Sequence, residues 1–257
     1  MKEIIKQSLK QIELDYQVKI LYACESGSRA WGFPSADSDY DVRFIYVHQP
    51  EWYLSIDQQR DVIELPINDR LDISGWELTK ALRLFRKCNP SLIEWLSSGI
   101  IYQQSDSLLE RLQQLKAEVY APKVLIYHYL SMATGNYREY LRGDQVKIKK
   151  YFYVLRPLLA CKWIEKYHSI PPLVFQELVE GVIEDPTLKQ RIAELLQRKI
   201  AGVEFDLEPQ IPVINQFIEA ELSHLNQYVA GISATPKNPT DKLNELFRTL
   251  LQDVWAH

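Results

Sequence analysis

The stretch GSRAWGFPSADSDYD, residues 27–41, carries most of the information about what this chain is. It opens with Gly27-Ser28 and closes with Asp39 and Asp41, two carboxylates separated by a single residue. Glycine permits close backbone approach, and free N–H groups at the start of a helical turn bind phosphate. Two neighbouring carboxylates repel each other unless a cation lies between them. The stretch therefore fits two descriptions: an ordinary surface turn, or a phosphate site that faces a metal site.

Strands are predicted on both sides of this stretch. Residues 18–26 and 39–48 are rich in β-branched and aromatic residues, which is typical of strands. Because side chains alternate between the two faces of a strand, Asp39 and Asp41 are expected to project from the same face. A hard divalent cation with oxygen ligands, such as Mg²⁺, is the usual partner of such a pair.

A third aspartate adds to this pattern. Asp72 lies between two apolar residues in RLDISGW, residues 70–76, which is another predicted strand. A carboxylate buried alone in an apolar strand is costly, whereas one that completes a metal site is stabilised by the cation. The pair of aspartates alone occurs often by chance, so the combination carries the hypothesis. The hypothesis is that a triphosphate is held at Gly27-Ser28 and is linked through a metal ion to Asp39, Asp41 and Asp72.

The rest of the N-terminal half alternates strands with helices. The predicted elements are a helix at 1–17, strands at 60–67 and 70–76 joined by a turn at Asn68-Asp69, helices at 77–88 and after Pro90, and a short apolar strand, GIIY. This alternation predicts an α/β or α+β domain.

Strand patterns stop near residue 118, and helical patterns continue to the end of the chain. Two long helical segments, 122–143 and 146–168, are followed by shorter ones that proline and glycine residues separate. We therefore predict two domains, residues 1–118 with the sheet and residues 119–257 as a helical bundle.

Charge is distributed unevenly along the chain. The formal net charge is −4, which argues against a molecule that binds nucleic acid through its total charge. Residues 120–168 differ, because nine Lys and Arg stand there against three acidic residues, a local net charge of +6. Aromatic residues lie among these cations, as in surfaces that bind phosphates and bases. A solvated helix surface with inward-packed tyrosines is the alternative, so the regional excess, rather than any one lysine, indicates a nucleic-acid surface.

Composition indicates a globular protein, with 46% hydrophobic and 25% charged residues. The three cysteines, Cys24, Cys88 and Cys161, have no metal-ligand spacing and are interpreted as buried thiols in a reducing compartment. Apolar residues near the N-terminus are spaced around a helix rather than collected as in a signal peptide. No apolar run approaches the roughly 20 residues of a membrane span, so we expect a cytoplasmic location without a membrane partner.

The stretch GSRAWGFPSADSDYDVRFIYV resembles the signature of the DNA polymerase β-type nucleotidyltransferase superfamily, G-S-x-A-x-G followed by S-D-x-D. Within it, the chain resembles the YcgL-like group of predicted nucleotidyltransferases, some of which have been linked by inference to RNA repair. LDISGWELTKALRLFRKCNPSLIEWLSS and KKYFYVLRPLLACKWI also look like that group, so the similarity covers at least residues 20–165. The resemblance implies an α+β fold, with a polymerase β-like domain of mixed sheet and flanking helices. An all-α helical domain would follow it and close the nucleotide cleft.

The resemblance also implies transfer of a nucleoside monophosphate from an NTP such as ATP to a hydroxyl acceptor, usually with two Mg²⁺ ions, or with Mn²⁺. Asp39 and Asp41 would hold both metal ions, and Asp72 would hold the ion that activates the attacking hydroxyl. Gly27 and Ser28 would hold the triphosphate. Further phosphate contacts are expected from Arg29, which fits a solvent-facing position equally well, and from Ser131 and Lys150.

The acceptor favoured by the basic segment 120–168 and by the resemblance is the 3′ end of an RNA or another nucleic acid. The same chemistry on a protein side chain or a small-molecule hydroxyl is the alternative. Two other classes are a non-catalytic nucleotide- or RNA-binding module and a partner of the toxin–antitoxin type. The presence of all three aspartates disfavours the first, and the chain's own helical domain disfavours the second. The choice of NTP and the oligomeric state depend on surfaces that these motifs do not define.

Overall fold

A computed structural model of the chain describes residues 1–67, 70–202, 207–233 and 238–256; the turn expected at Asn68-Asp69 lies outside them. The strands of these residues are β1 (Lys19–Glu25), β2 (Tyr40–Val47), β3 (Val62–Glu64), β4 (Leu71–Glu77), β5 (Ile101–Gln104), β6 (Gln145–Lys147) and β7 (Leu207–Pro209). The α-helices are α1 (Lys2–Tyr16), α2 (Gly27–Ala30), α3 (Pro50–Tyr53), α4 (Leu78–Arg86), α5 (Pro90–Trp95), α6 (Asp106–Val119), α7 (Pro122–Tyr140), α8 (Tyr151–Tyr167), α9 (Phe175–Val182), α10 (Pro186–Ile200), α11 (Pro212–Gly231) and α12 (Thr240–Trp255).

Five strands form one mixed sheet in the order β3-β4-β2-β1-β5. β2 and β4 run parallel, and the other neighbouring pairs are antiparallel. Parallel strands need a crossover connection, and α3 and β3 lie between β2 and β4 in the chain. The α+β fold class predicted from the sequence is confirmed.

The core of the sheet explains how an aspartate fits an apolar strand. Along β4, buried and half-buried residues alternate, so Leu71 and Ile73 point into the core while Asp72 lies on the other face. α1 covers the core with Ile5 and Leu9, which are one helical turn apart. Asp72 is therefore not buried alone among apolar side chains.

The chain divides into two compact units. The first contains Met1–Ala30, Asp39–Val119 and Lys237–His257, and the second contains Trp31–Ser38 and Tyr120–Pro236. The division after Val119 is close to the boundary expected after residue 118. Two pieces differ from the expected domains: α12 packs on α4 and α6 of the first unit, and residues 31–38 belong to the second.

The second unit contains α7 to α11. Here the structure corrects the helix predicted at residues 146–168. That helix begins only at Tyr151 and continues through Pro157. The residues before it form β6, which pairs with β7, and a 3₁₀ turn at Ile148–Lys150. Val146 and Ile148 are buried while the residues between and after them are exposed, and this period of two favours an extended backbone.

The three cysteines are buried free thiols, as the sequence predicted. Burial raises the pKa of the Cys24 thiol to about 12. In the described part of the chain, no helix combines the length and the apolarity that a bilayer crossing requires.

Candidate active site

The parallel ladder between β2 and β4 brings two of the predicted carboxylates side by side. Asp41 pairs with Asp72, and Arg43 pairs with the next residue of the same face, Ser74. Residues two apart on a strand share a face, so Asp41, Arg43 and Asp72 project together. The side chains of both aspartates are 28% exposed, which leaves them accessible to a ligand.

Arg43 supplies the positive charge of this cluster. Its Nη2 lies 2.7 Å from Asp72 Oδ2 and 3.5 Å from Asp41 Oδ1. Its Nη1 donates to the backbone carbonyls of Val42 and Asp72 at 3.0 and 3.1 Å, which fixes the guanidinium between the two strands. A planar guanidinium with several donors is well suited to bridging carboxylates in this way.

Burial and neighbouring charges shift the pKa of the Asp41 carboxyl group. Burial raises the pKa of its carboxyl group, the Arg43 guanidinium lowers it, and the carboxylates of Asp72 and Asp39 raise it again. Asp39 itself is exposed. The three aspartates named by the sequence therefore act on one electrostatic site, with Asp39 at its solvent side.

Glu25 is a member of this site that the sequence analysis missed. It ends β1, is fully buried, and accepts the Asp41 backbone N–H at Oε1 over 2.9 Å. Its Oε2 accepts the Tyr102 hydroxyl of β5. Burial raises the pKa of the Glu25 carboxyl, and the hydrogen bonds from Tyr102 and Asp41 oppose that increase. The available signal was an acidic residue that ends a largely apolar strand, one residue away from the Gly-Ser pair.

Gly27 is needed because the chain passes close to Asp41. Its φ is +60°, and a Cβ at this position would clash with Asp41 Oδ2. The neighbouring Ser26 N–H donates to the Asp41 carbonyl at 2.8 Å. Gly27, which the sequence assigned to phosphate binding, therefore also packs against the Asp41 carboxylate. Ser28 follows it in the short helix α2.

Arg29 contacts the backbone that leads into β2. Its Nε donates to the Asp39 carbonyl at 3.0 Å, and its guanidinium lies 3.7 Å from the centroid of the Tyr40 ring. These contacts hold the backbone of Asp39, which lies just before β2 rather than within the strand, where the predicted bounds 39–48 place it. Arg29 is half-buried in this position.

Residues 31–38, between α2 and β2, are anchored within the second unit. The ring of Phe33 packs against Phe152 and Phe175 at centroid distances of 5.0 and 5.5 Å. Ser35 and Ser38 are linked through their side chains at 3.0 Å, and Lys199 Nζ donates to Ser35 Oγ at 2.6 Å. This network holds the loop directly before Asp39.

Lys199 was not found from the sequence, although its position is unusual. The buried stripe of α10 contains Leu188, Ile192, Leu195 and Lys199, at helical spacing. A lysine that is only 6% exposed requires a hydrogen-bond partner, and burial lowers its pKa. A cation on an apolar helical stripe was therefore the available signal.

Ser131 and Lys150, the two predicted phosphate contacts from the helical half, belong to the second unit. Ser131 is exposed on α7. Lys150 ends the 3₁₀ turn, with Nζ 4.2 Å from the centroid of the Tyr140 ring and 4.9 Å from that of Tyr153. Within this unit, Lys150 is part of an aromatic and basic surface, and Ser131 lies on a different element.

The carboxylates of the first unit offer a donor set that suits a hard divalent cation. No three His, Cys, Asp or Glu side chains within 1–67, 70–202, 207–233 and 238–256 are grouped closely enough to hold a metal ion unaided. Mg²⁺ is commonly bound by one or two carboxylates, with waters and substrate phosphates completing its shell. The paired Asp41 and Asp72 meet that requirement, with Asp39 beside them.

Comparisons with known proteins identify the family of this chain. Residues 1–249 match the family model RlaP, described as the RNA repair pathway DNA polymerase beta family. The chain is 54% identical over 255 residues to a Bacillus subtilis (strain 168) protein named "Uncharacterized protein YcgL", covering 99% of this chain and 98% of the relative.

A solved structure gives a much weaker likeness. The nucleotidyltransferase-like protein from Exiguobacterium sibiricum 255-15 is 14% identical, with a TM-score of 0.32 over 97% of this chain and 80% of that one. The family assignment accordingly rests on the sequence comparisons. The predicted resemblance to polymerase β-type nucleotidyltransferases and to the YcgL-like group is confirmed.

Proposed function

The chain belongs to the RNA repair pathway DNA polymerase beta family, and we propose that it transfers a nucleoside monophosphate from an NTP to a hydroxyl acceptor in a metal-dependent reaction. The family indicates a nucleotidyltransferase of the polymerase β type. The observation that carries the proposal is the register of β2 against β4. It aligns Asp41 with Asp72 on adjacent strands, and Asp39 lies just before β2, two residues from Asp41.

In this proposal Asp39, Asp41 and Asp72 hold Mg²⁺, or Mn²⁺, with the nucleotide. The metal would supply charge neutralisation on the entering and leaving oxygens of an in-line displacement. The acceptor oxygen forms a bond to the α-phosphorus, the bond to the bridging oxygen breaks, and pyrophosphate leaves. Asp72 orients the attacking hydroxyl, and its proton passes to this carboxylate or to water.

Other residues of the chain position these carboxylates. Glu25 fixes the Asp41 backbone through the Asp41 N–H. Arg29 donates to the Asp39 carbonyl and so holds the backbone of the most exposed aspartate. Catalysis of phosphoryl transfer rests mainly on positioning and charge neutralisation, which is what such contacts provide.

Gly27 and Ser28 are the proposed triphosphate contacts in the first unit. The positive φ of Gly27 turns the chain at the end of β1, directly beside Asp41. Ser131 and Lys150 are proposed as phosphate contacts from the second unit on the resemblance alone. The phosphates and metal are common to all NTPs, so base choice, including any preference for ATP, would come from other contacts.

The proposed acceptor is the 3′ end of an RNA or another nucleic acid, in agreement with the family description and with the basic segment 120–168. Transfer to a protein or small-molecule hydroxyl would use the same groups. A non-catalytic nucleotide- or RNA-binding module would keep the fold and the binding without the transfer.

The test is transfer from each of four α-labelled NTPs with Mg²⁺ or Mn²⁺ to RNA, to the protein itself, or to no added acceptor. Wild type would be compared with Asp41→Asn and Asp72→Asn, and with the exposed Asp57→Asn as a matched control. We expect metal-dependent label on RNA, and a loss on the order of 10³-fold or more in the two site variants.

Each other outcome has a defined meaning. Label on the protein would replace the nucleic-acid acceptor with a protein hydroxyl. Binding of NTP without transfer in any condition would favour the non-catalytic module. Equal activity of wild type and Asp41→Asn would contradict the assignment of the site.

A further inference from the structure

The structure sorts the cations of segment 120–168 into two groups. Four of the nine are engaged: Lys123 donates to the Ile232 carbonyl, Arg156 is buried, Lys162 pairs with Glu221 and Lys166 pairs with Glu184. The other five have no ion-pair partner among the residues that the structure describes: Arg138, Arg142, Lys147, Lys149 and Lys150. The +6 excess of the sequence is therefore concentrated in one place.

These five cations, with Tyr140 and Tyr153, are called the 138–153 surface below. Four of the five are exposed, and Lys150 is half-buried. Glu139 and Asp144 lie in the same segment, so its local net charge from 138 to 153 is +3. The two acidic side chains do not form salt bridges with these cations in the described part of the chain.

The backbone presents the lysines in a fixed direction. From Gln145 to Lys149 exposed and buried residues alternate, with Val146 and Ile148 fully buried and Lys147 and Lys149 exposed. The pairing of β6 with β7 holds the extended part of this segment. Because buried neighbours anchor each lysine, the charges are held on one surface rather than on a loose loop.

Aromatic rings lie among these charges. Lys147 Nζ is 5.8 Å and Lys150 Nζ is 4.2 Å from the centroid of the Tyr140 ring. Tyr153 is 40% exposed and also lies beside the Lys150 ammonium. Tyr140 is half-buried. Ammonium groups next to an accessible ring are the combination with which proteins bind a phosphate backbone and stack unpaired bases.

We propose that the 138–153 surface binds single-stranded RNA, with the cations on the phosphates and Tyr153 against an unpaired base. The inference rests on the proposed function, since the RNA would be the acceptor strand. A single strand fits better than a duplex, because a tyrosine ring stacks only on bases that are free of a helix stack. Charge complementarity selects the partner: the surface offers unneutralised cations, and RNA carries one phosphate charge per nucleotide.

The experiment measures binding without catalysis. Fluorescence anisotropy would follow a labelled RNA of about 12 nucleotides on Asp41→Asn protein at several salt concentrations, with duplex RNA of the same length alongside. The test variant is Arg142→Gln/Lys147→Gln/Lys149→Gln. The matched control removes the same charge from ion-paired lysines, as Lys162→Gln/Lys166→Gln/Lys189→Gln.

We expect the test variant to bind the single strand at least about tenfold more weakly, with a salt slope reduced by about 2. The control should bind as the parent does, and Tyr153→Leu should weaken binding severalfold without changing the salt slope. Thermal unfolding of each variant excludes misfolding as the cause.

Several results would overturn the proposal. Equal weakening by the test and control triples would show that only total charge matters. Duplex RNA bound more tightly than the single strand would contradict the stacking of an unpaired base. RNA binding that persists in the test variant would place the RNA elsewhere. None of these depends on nucleotide transfer, so failure of the proposed function remains distinguishable.

Discussion

The carboxylate site on β2 and β4 and the 138–153 surface both concentrate charge, but they differ in how far the charges are buried and paired. In the first, Asp41, Asp72 and Arg43 are partly buried and form ion pairs with one another. In the second, the cations are exposed and have no ion pairs in the described residues. Positioned charge should be sensitive to single atoms, whereas the exposed cations should act through the local charge of the 138–153 surface.

The largest effect is expected where the backbone approaches the carboxylates most closely. Gly27→Ala places a Cβ against Asp41 Oδ2 at a backbone φ of +60°, so both strain and a clash oppose folding. We expect the free energy of unfolding to fall by about 2–4 kcal/mol, and the rate of nucleotide transfer to fall as well. Gly99→Ala is the matched control, because its Cβ would meet nothing within 4 Å. Urea unfolding of both variants measures the difference, and similar losses in the two would contradict positioned charge in the first region.

The next effect tests the cation between the two aspartates. Arg43→Gln leaves Asp41 and Asp72 facing each other, so without divalent metal we expect a loss of about 1–2 kcal/mol. Added Mn²⁺ should raise the melting temperature of this variant more than that of the wild type, because the metal replaces the missing charge. Arg60→Gln is the control, since it breaks a surface pair with Glu64 whose partners are 71% and 58% exposed. An identical Mn²⁺ response in wild type and Arg43→Gln would show that Arg43 and the metal do not share the carboxylates.

A smaller effect is expected one step further from the carboxylates. Tyr102→Phe removes the hydroxyl that donates to Glu25 Oε2, which leaves a buried carboxylate oxygen without that partner. We expect about 1–2 kcal/mol of lost stability and a severalfold fall in kcat, because Glu25 holds the Asp41 backbone. Tyr16→Phe, at a 43% exposed position of α1, is the control and should leave kcat unchanged. Steady-state kinetics and thermal unfolding measure both, and an unchanged Tyr102→Phe would remove Glu25 and Tyr102 from the positioning network.

The smallest effect is expected on the 138–153 surface itself. Lys147→Gln/Lys149→Gln removes two unpaired cations, and stability should change by less than about 0.5 kcal/mol. Lys162→Gln breaks a part-buried pair with Glu221, whose side chain is 16% exposed, and should cost about 1 kcal/mol. Chemical denaturation of the wild type, the double variant and Lys162→Gln measures their free energies of unfolding. A larger loss in the double variant than in Lys162→Gln would mean that the surface lysines are structural.

Much of the fold followed from local patterns. The strands β1, β2 and β4 and the helices α1 and α4 lie within a residue or two of their predicted bounds, because burial periodicity is strong there. The segment 146–150 was misassigned to a helix, since a short alternating run is outweighed by the helical pattern that follows it. The C-terminal helix α12 was recognised as a helix, but its membership of the first unit depends on contacts that no local pattern contains.

The candidate site was predicted less completely than the fold. The three aspartates and Gly27 were named because their residue types and spacing point to phosphate and metal chemistry. Glu25 and Arg43 were missed, because each gains its significance from a partner on another strand. Their residue types alone are compatible with ordinary surface positions.

By itself, the sequence determined the family, the two-residue spacing of Asp39 and Asp41, and the basic excess of residues 120–168. These properties depend only on residue order, which is local. Only the tertiary structure decided that Asp72 stands opposite Asp41, since register is set by packing between strands that lie about thirty residues apart in the chain. It also decided which lysines are neutralised, because an ion pair requires two side chains to meet in space.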